Sequence, residues 1–184
     1  MYKFILIGLL PLFLFGKSGI LTTIVDGDTA ILKDGDKNLV CHLGDLDALE
    51  MRENSKLKRE IKVCKYSKKE FINAGMDSFE YAKKILKIGQ TYEYTIPRYL
   101  KNKNPVCYLK IPKGLHVEIY PHFDQLMVSK GFALPYVIFS TSEYKKLLLK
   151  IAIEAKKQKR GLWKNHSVLM DCLVKQRYSL RSLR

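Results

Sequence analysis

Apolar and polar residues alternate over the first part of the chain in a pattern that predicts short β-strands. The predicted strands cover residues 19–25, 29–33 and 39–43. Asp26-Gly27 and residues 34–36 have the composition of tight turns, so the three strands should form a meander. In the third strand, the alternation places Cys41 on the buried face with Leu39 and Leu43, and it places His42 on the opposite face.

Two further strands and about three helices are predicted downstream. The strands cover residues 91–96 and 106–111, and the helices cover residues 77–88, 123–130 and 140–160. Asp77-Ser78-Phe79-Glu80 has the form of a capping box, and residues 140–143 cap the last helix. In that helix one face carries Leu147, Leu148, Ile151 and Ala155. A curled antiparallel sheet of about five strands with helices packed on it indicates an α+β protein built on an OB-type barrel.

Two basic segments lie outside this pattern. Residues 51–76 carry eight Lys/Arg and three Glu, and we interpret them as an exposed, solvated insertion. Residues 166–184 form a basic C-terminal tail that is predicted to fray. With no internal repeat and no long linker, residues 19–165 are predicted to form one domain.

The N-terminal residues have the composition of a targeting segment. A positive start at Lys3 is followed by an uncharged, mostly apolar run over residues 4–15, which is too short to span a bilayer. Residues 1–16 are therefore predicted to be a signal peptide, with an uncleaved N-terminal anchor as the alternative. Export would place the protein outside the cell or in the periplasm or cell envelope.

The chain contains four cysteines. An exported protein can form disulfides, and four cysteines allow three complete pairings, among which the sequence does not choose. Cys41 fits a buried thiol equally well, because it shares a strand face with two leucines. The spacings between Cys41, Cys64, Cys107 and Cys172 match no metal-binding pattern.

The charge of the chain indicates its partners rather than its fold. The formal net charge is +15, from 33 Lys+Arg and 18 Asp+Glu. The 47% apolar content excludes a disordered chain. A nucleic acid, an anionic membrane or an acidic protein would all match this excess of positive charge.

Within this basic chain, two acidic motifs carry the candidate chemistry. The first is Val25-Asp26-Gly27-Asp28-Thr29, and the second is His42-Leu43-Gly44-Asp45-Leu46-Asp47-Ala48-Leu49-Glu50. Asp28, Asp47 and Glu50 are placed at the ends of strands joined by a turn. Two carboxylates can bind a hard divalent cation, and a third can position or activate a water molecule. These are the groups that a phosphodiester-cleaving site needs. Asp26 and Asp45 are interpreted as turn caps or surface carboxylates.

The two motifs, in this order and at this spacing, resemble those of the thermonuclease (staphylococcal-nuclease-like) family, which is Ca²⁺-dependent and has an OB-fold. The resemblance continues downstream in MVSKGFA, residues 127–133, and in EAKKQKRGLW, residues 154–163. It covers about residues 19–165 and implies a five-stranded barrel. It also implies a monomer that cleaves DNA and RNA.

The resemblance implies roles for individual residues. Asp28 and Asp47 would ligate Ca²⁺ through their carboxylates, with the Ala48 backbone carbonyl as a further ligand. Glu50 would orient or deprotonate the attacking water. These assignments agree with the preference of Ca²⁺ for several oxygen ligands in a loose geometry.

The sequence departs from the family pattern at both expected arginines. His42 stands where the family has a phosphate-binding Arg, and an exposed strand position is an equal interpretation of this histidine. The second Arg aligns with Asn104 without gaps, or with Lys101 if residues 102–104 are an insertion. Leu49 replaces a proline of the motif, which removes a fixed backbone angle beside Glu50.

Three functions follow as alternatives. The first is an exported Ca²⁺-dependent nuclease of low sequence specificity. The second is a catalytically weak or inactive OB-fold protein that binds nucleic acid at the cell envelope, which the missing arginines favour. The third is a protein that binds anionic envelope polymers through its charge alone. Tyr99, Tyr108 and Tyr136 are possible stacking partners for bases, with a core position favoured for Tyr108.

Overall fold

The computed structural model describes residues 16–102, 104–112, 120–136 and 140–177. Almost all of the predicted signal peptide, and residues 178–184 of the predicted tail, lie outside the described residues. The first strand begins at Lys17.

Five strands close into a barrel, in the order β1-β2-β3-β6-β5. They are β1 (Lys17–Ile24), β2 (Thr29–Asp34), β3 (Lys37–Leu43), β5 (Thr91–Tyr99) and β6 (Pro105–Leu109). Two short strands, β4 (Leu46–Asp47) and β7 (Leu134–Pro135), pair separately. All neighbours in the barrel are antiparallel except β3 and β6, which are parallel. The prediction of a five-stranded barrel with helices is confirmed, but the sheet is mixed rather than wholly antiparallel as predicted.

The barrel is filled by the inward-facing residues of its strands. Leu21, Leu32, Leu43 and Tyr94 are among the fully or almost fully buried residues of this core. Cys41 is buried there too, but as a disulfide with Cys107 across the parallel β3–β6 pair rather than as a free thiol. This covalent bond crosses the one parallel contact of the barrel.

Six helices are present among the described residues, against about three predicted. They are α1 (Ser55–Cys64), α2 (Lys68–Ile85), α3 (Phe123–Ser129), α4 (Ser142–Lys157), α5 (Leu162–Asn165) and α6 (Ser167–Arg177). Within the described residues, no helix is both long enough and apolar enough to cross a membrane.

The predicted capping box at residues 77–80 is wrong. Helix α2 begins nine residues earlier, at a capping box made by Ser67 and Glu70. Ser78 lies inside the helix, where its hydroxyl donates to the carbonyls of Ala74 and Phe132. Residues 68–76, the first half of this helix, were assigned to the solvated insertion because of their basic composition.

Residues 51–76 and the start of the C-terminal tail form a second hydrophobic core. The predictions of a solvated insertion and of a frayed tail are therefore wrong for the described residues. Leu57 of α1 and Phe71 of α2 are fully buried, and they cluster with Leu169 and Leu173 of α6. The Cys64–Cys172 disulfide joins α1 to α6. Most of the charged residues of the two segments are exposed, but Lys56, Glu60 and Arg177 turn inwards. The few apolar residues of both segments pack against each other, so composition alone misjudged them.

Candidate active site

The register of the barrel brings the two acidic motifs together. Thr29 of β2 pairs with His42 of β3, and the Leu43 N–H donates to the Asp28 carbonyl at 2.7 Å. Beyond the strand ends, the Ala48 N–H donates to Asp28 Oδ2 at 2.8 Å. Gly27 allows this approach, because a Cβ at that position would lie only 2.7 Å from the Ala48 Cβ. The second motif therefore lies directly against the first.

Helix α2 fixes the backbone of Glu50. Gly75 packs so closely that a Cβ there would lie 2.4 Å from the Glu50 carbonyl oxygen. The neighbouring Leu49 is buried in the second core at 1% exposure. Leu49 thus anchors by burial a position where the family motif has a proline. The placement of Glu50 depends on packing rather than on a fixed backbone angle.

A cavity of about 800 Å³ opens where these elements meet. Its walls contain Asp28, His42, Asp47 and Glu50, which sequence analysis selected, and four basic residues from the helices, Lys56, Arg59, Lys145 and Arg177. The remaining lining residues are Glu60, Leu100, Asn102, Pro135, Tyr136 and Gln176. One site therefore combines carboxylates with a ring of cationic side chains.

The two substitutes considered for the second arginine lie outside this lining. Lys101 is exposed, and Asn104 is half-buried with its backbone paired to Leu100 and to the Asn102 side chain. Leu100 and Asn102 of the same loop line the cavity instead.

His42 points into the site rather than outwards from the strand. Its Nε2 lies 3.0 Å from the Leu46 carbonyl oxygen, so this nitrogen acts as a donor to that carbonyl. Its Nδ1 lies 3.8 Å from Asp28 Oδ1. Tyr136, one of the predicted stacking residues, meets the imidazole edge to face, with the ring centres 6.4 Å apart. The histidine is thus part of the cavity wall beside the first carboxylate.

The two carboxylates of the first motif titrate differently. Burial raises the pKa of Asp26 to about 7, and the neighbouring negative charge of Asp28 adds to the rise. Burial also opposes ionisation of Asp28, but the charges of His42 and Lys56 outweigh it and hold the pKa of Asp28 below its ordinary value. Asp26 Oδ1 accepts the Asp28 N–H at 3.0 Å, as expected of a turn cap. Asp28 is therefore the charged carboxylate of the pair.

Lys56 of α1 is a central residue of the site that sequence analysis did not select. Its Nζ donates to Asp47 Oδ1 and to the Ala48 carbonyl at 2.9 Å, and it lies 2.8 Å from Glu50 Oε1. Burial disfavours its charge, but Asp47, Asp28 and Glu50 outweigh that effect and raise the pKa of Lys56. The ammonium group is therefore charged and held by the carboxylate cluster.

Arg177, at the end of α6, is the second unpredicted residue. Its Nη1 lies 2.9 Å from Asp47 Oδ2, and its Nη2 donates to Glu60 Oε1 at 2.7 Å. Asp47 thus has a basic group at each of its two oxygens. The apolar spacing of Leu169, Met170 and Leu173 signals a helix that would carry Arg177, but it does not indicate where that helix docks.

Arg98 has a structural position. Its Nη2 donates to Asp45 Oδ1 at 2.5 Å, and Asp45 is fully buried. Asp45 also accepts from the Ser140 hydroxyl. The interpretation of Asp45 as a turn cap or surface carboxylate is therefore wrong: it is a buried carboxylate whose charge Arg98 balances.

The oxygen ligands expected for Ca²⁺ are present, but Ca²⁺ does not fit among them as they are arranged. The Asp47 carboxylate and the Ala48 carbonyl are the donors such an ion prefers. Both are already hydrogen-bonded to the Lys56 ammonium group. Among the described residues, no group of three or more His, Cys, Asp or Glu side chains is arranged to hold a metal ion.

A closed five-stranded barrel with helices packed on it, whose strand ends bring acidic residues into a cavity that basic residues also line, defines an OB-type α+β protein. Residues 42–165 match the family described as Staphylococcal nuclease homologue. Because this match spans more than half of the chain, the protein belongs to that family. No curated protein sequence matches the chain.

Proposed function

We propose that the protein is a nuclease that hydrolyses phosphodiester bonds of DNA and RNA with low sequence specificity. The observation that carries this proposal is the convergence of Asp28, Asp47 and Glu50 on one cavity. Three acidic side chains have no use in a site that only binds a polyanion, because they repel phosphate. They are useful in a site where carboxylates bind a cation and activate a water molecule.

The basic side chains around the cavity support a polyanionic substrate. Arg59 of α1 and Lys145 of α4 line the cavity, and neither forms an ion pair with a described residue. Both can therefore contact phosphate groups, and such contacts carry no sequence information. Tyr136, in the same wall, offers an aromatic face or edge to an unpaired base.

Glu50 is the proposed general base. Its Oε2 accepts from the Asn54 amide at 2.7 Å, and its Oε1 faces Lys56, so its carboxylate is held in a defined orientation at the cavity. His42, Arg59 and Lys145 would hold the phosphate. For Lys101 and Asn104, which lie outside the cavity lining, we propose only contacts to the part of the nucleic-acid substrate that extends beyond the cavity.

Calcium is the proposed cofactor, with Asp28, Asp47 and the Ala48 carbonyl as its ligands. The family resemblance supports this choice, and so do the hard oxygen donors of the second motif. Bound Ca²⁺ would stabilise negative charge on the phosphate. Its binding requires Lys56 to leave the oxygens that it holds.

We further propose that the protein is exported and acts as a monomer. The apolar run over residues 4–15 and the two disulfides, Cys41–Cys107 and Cys64–Cys172, support an oxidising compartment. This compartment is the extracellular medium, the periplasm or the cell envelope.

The test is degradation of long DNA by the purified protein with millimolar Ca²⁺ and with an excess of chelator. We expect the DNA to shorten with Ca²⁺ and to remain intact with chelator. Equal degradation in both samples would contradict the proposed metal dependence. Intact DNA in both samples would contradict the nuclease function itself.

A second function, binding of nucleic acid without cleavage, is favoured by the contacts that the Asp47 carboxylate makes. Both of its carboxylate oxygens are engaged by basic side chains. The family resemblance also implies that His42 replaces a phosphate-binding arginine. A protein of this kind would shift DNA in a gel in a salt-sensitive manner and leave its length unchanged.

A further inference from the structure

The Lys56 ammonium group is surrounded by oxygen atoms of the protein. An ammonium group has three N–H donors. Lys56 Nζ has three oxygen partners, namely Asp47 Oδ1, the Ala48 carbonyl and Glu50 Oε1. It donates hydrogen bonds to Asp47 and Ala48 and forms an ion pair with Glu50 at 2.8 Å. Its charge is therefore directed at the carboxylate cluster rather than at a substrate phosphate.

The partners of Lys56 are the groups to which the proposed function assigns cation binding and water activation. Two of them, Asp47 and the Ala48 carbonyl, are proposed metal ligands, and the third, Glu50, is the proposed base. The remaining oxygen of Asp47 faces Arg177 at 2.9 Å. The positive charge needed by the carboxylates is therefore already supplied by the chain.

The fold holds Lys56 in this place. The adjacent Leu57 is fully buried in the second core, and its N–H donates to the Asn54 side chain at 2.8 Å to cap α1. The same Asn54 side chain donates to Glu50. At its other end, α1 is joined to α6 by the Cys64–Cys172 disulfide. The start of α1 and the carboxylate cluster are thus parts of one packed unit.

We infer that Lys56 is the resident counter-cation of the carboxylate cluster, and that it excludes Ca²⁺ from Asp47 and Ala48 for as long as its side chain stays in place. The inference rests on the proposed function for its choice of cation. It adds that access of the metal is controlled by a side chain from α1, a helix that lies outside the barrel. An ammonium group and a divalent cation on the same oxygens repel each other at short range, so we expect Ca²⁺ binding to displace Lys56.

The test is calorimetric titration of the purified protein with CaCl₂, comparing the wild type with Lys56→Met. Methionine keeps a long apolar stem and removes the charge. We expect Lys56→Met to bind Ca²⁺ at least about tenfold more tightly than the wild type, because no resident cation has to be displaced. Adding Asp47→Asn to Lys56→Met should abolish the gain and so place the binding at this site.

Lys58→Met is the matched control, because Lys58 lies on the same helix and pairs at the surface with Glu53. It should leave the calcium affinity of the wild type unchanged. Lys56→Gln, together with thermal unfolding of each variant, guards against a variant that does not fold. Equal affinities in the wild type and both Lys56 variants would overturn the inference, and so would an absence of Ca²⁺ binding in folded Lys56 variants. Because the readout is metal binding, a wild type that leaves DNA intact would count against the nuclease function and not against this inference.

Discussion

Glu50→Gln should lower the rate of DNA cleavage by about 10²–10⁴-fold, which is the usual contribution of a general base. Glutamine preserves the shape of the side chain and an oxygen facing Lys56, but an amide cannot take a proton from water. The Glu50 backbone is held by the Gly75 contact with α2, so the substitution should not move the chain. The measurement is the initial rate of release of acid-soluble nucleotides.

Glu53→Gln is the matched control for this change. Glu53 carries the same functional group three residues along the chain, but it pairs at the surface with Lys58 and Lys68 and does not line the cavity. It should cleave at close to the wild-type rate. A Glu50→Gln rate within about threefold of wild type would contradict the assignment of the base, since a general base contributes at least about 10²-fold.

Replacing both Cys64 and Cys172 by alanine should lower the free energy of unfolding by about 2–5 kcal/mol. The disulfide joins residues separated by 108 positions, and its removal frees the unfolded chain over that whole length. The buried contacts of Leu169 and Leu173 remain, so α6 should still dock, though less firmly. Equilibrium unfolding in urea can be followed by the fluorescence of Trp163, the single tryptophan, which lies in the same second core.

Paired serine substitutions at the same two positions control for the choice of replacement residue. The loss should be similar in both double variants if the disulfide is its cause. If the free energy of unfolding of the double variants lies within about 0.5 kcal/mol of that of the disulfide-bonded wild type, α6 is held by packing alone. The firmer docking that the disulfide provides also holds Arg177 beside Asp47, so amide exchange in α6 should be faster in the double variants.

The barrel could be predicted from the sequence because its signals are local. The alternation of residues 29–33 and 39–43 fixes which faces are buried, and Asp26-Gly27 fixes a turn. The strand register then brings Asp28 beside the second motif, so the shared cavity of Asp28, Asp47 and Glu50 follows from pattern and pairing. Those three residues were selected from the sequence, and the structure places them together.

The second core and the cations of the site could not be predicted in the same way. Residues 51–76 and the tail each bury only a few apolar side chains, and the benefit of burying Leu57 appears only when Leu169 and Leu173 lie against it. Which cysteines pair is likewise decided by tertiary packing. Arg177 reaches Asp47 across 130 positions of sequence, and no local pattern encodes that contact.

The combination of these two parts shapes the proposed mechanism. The barrel supplies the carboxylates, whereas the added helices α1 and α6 supply Lys56 and Arg177, which neutralise them. The resemblance to the family pattern predicts that His42, and Lys101 or Asn104, replace the two arginines expected there. The positive charge of the site therefore comes from a different part of the chain.

The most direct test of the central claim uses a single-stranded DNA oligonucleotide of defined sequence, incubated with the purified protein and Ca²⁺ and analysed by mass spectrometry. A nuclease of low specificity would yield a series of shorter strands, each gaining one water at the broken bond, with no series formed by Glu50→Gln. An oligonucleotide that binds to the protein and keeps its full mass after prolonged incubation would contradict the nuclease function and leave a nucleic-acid-binding protein.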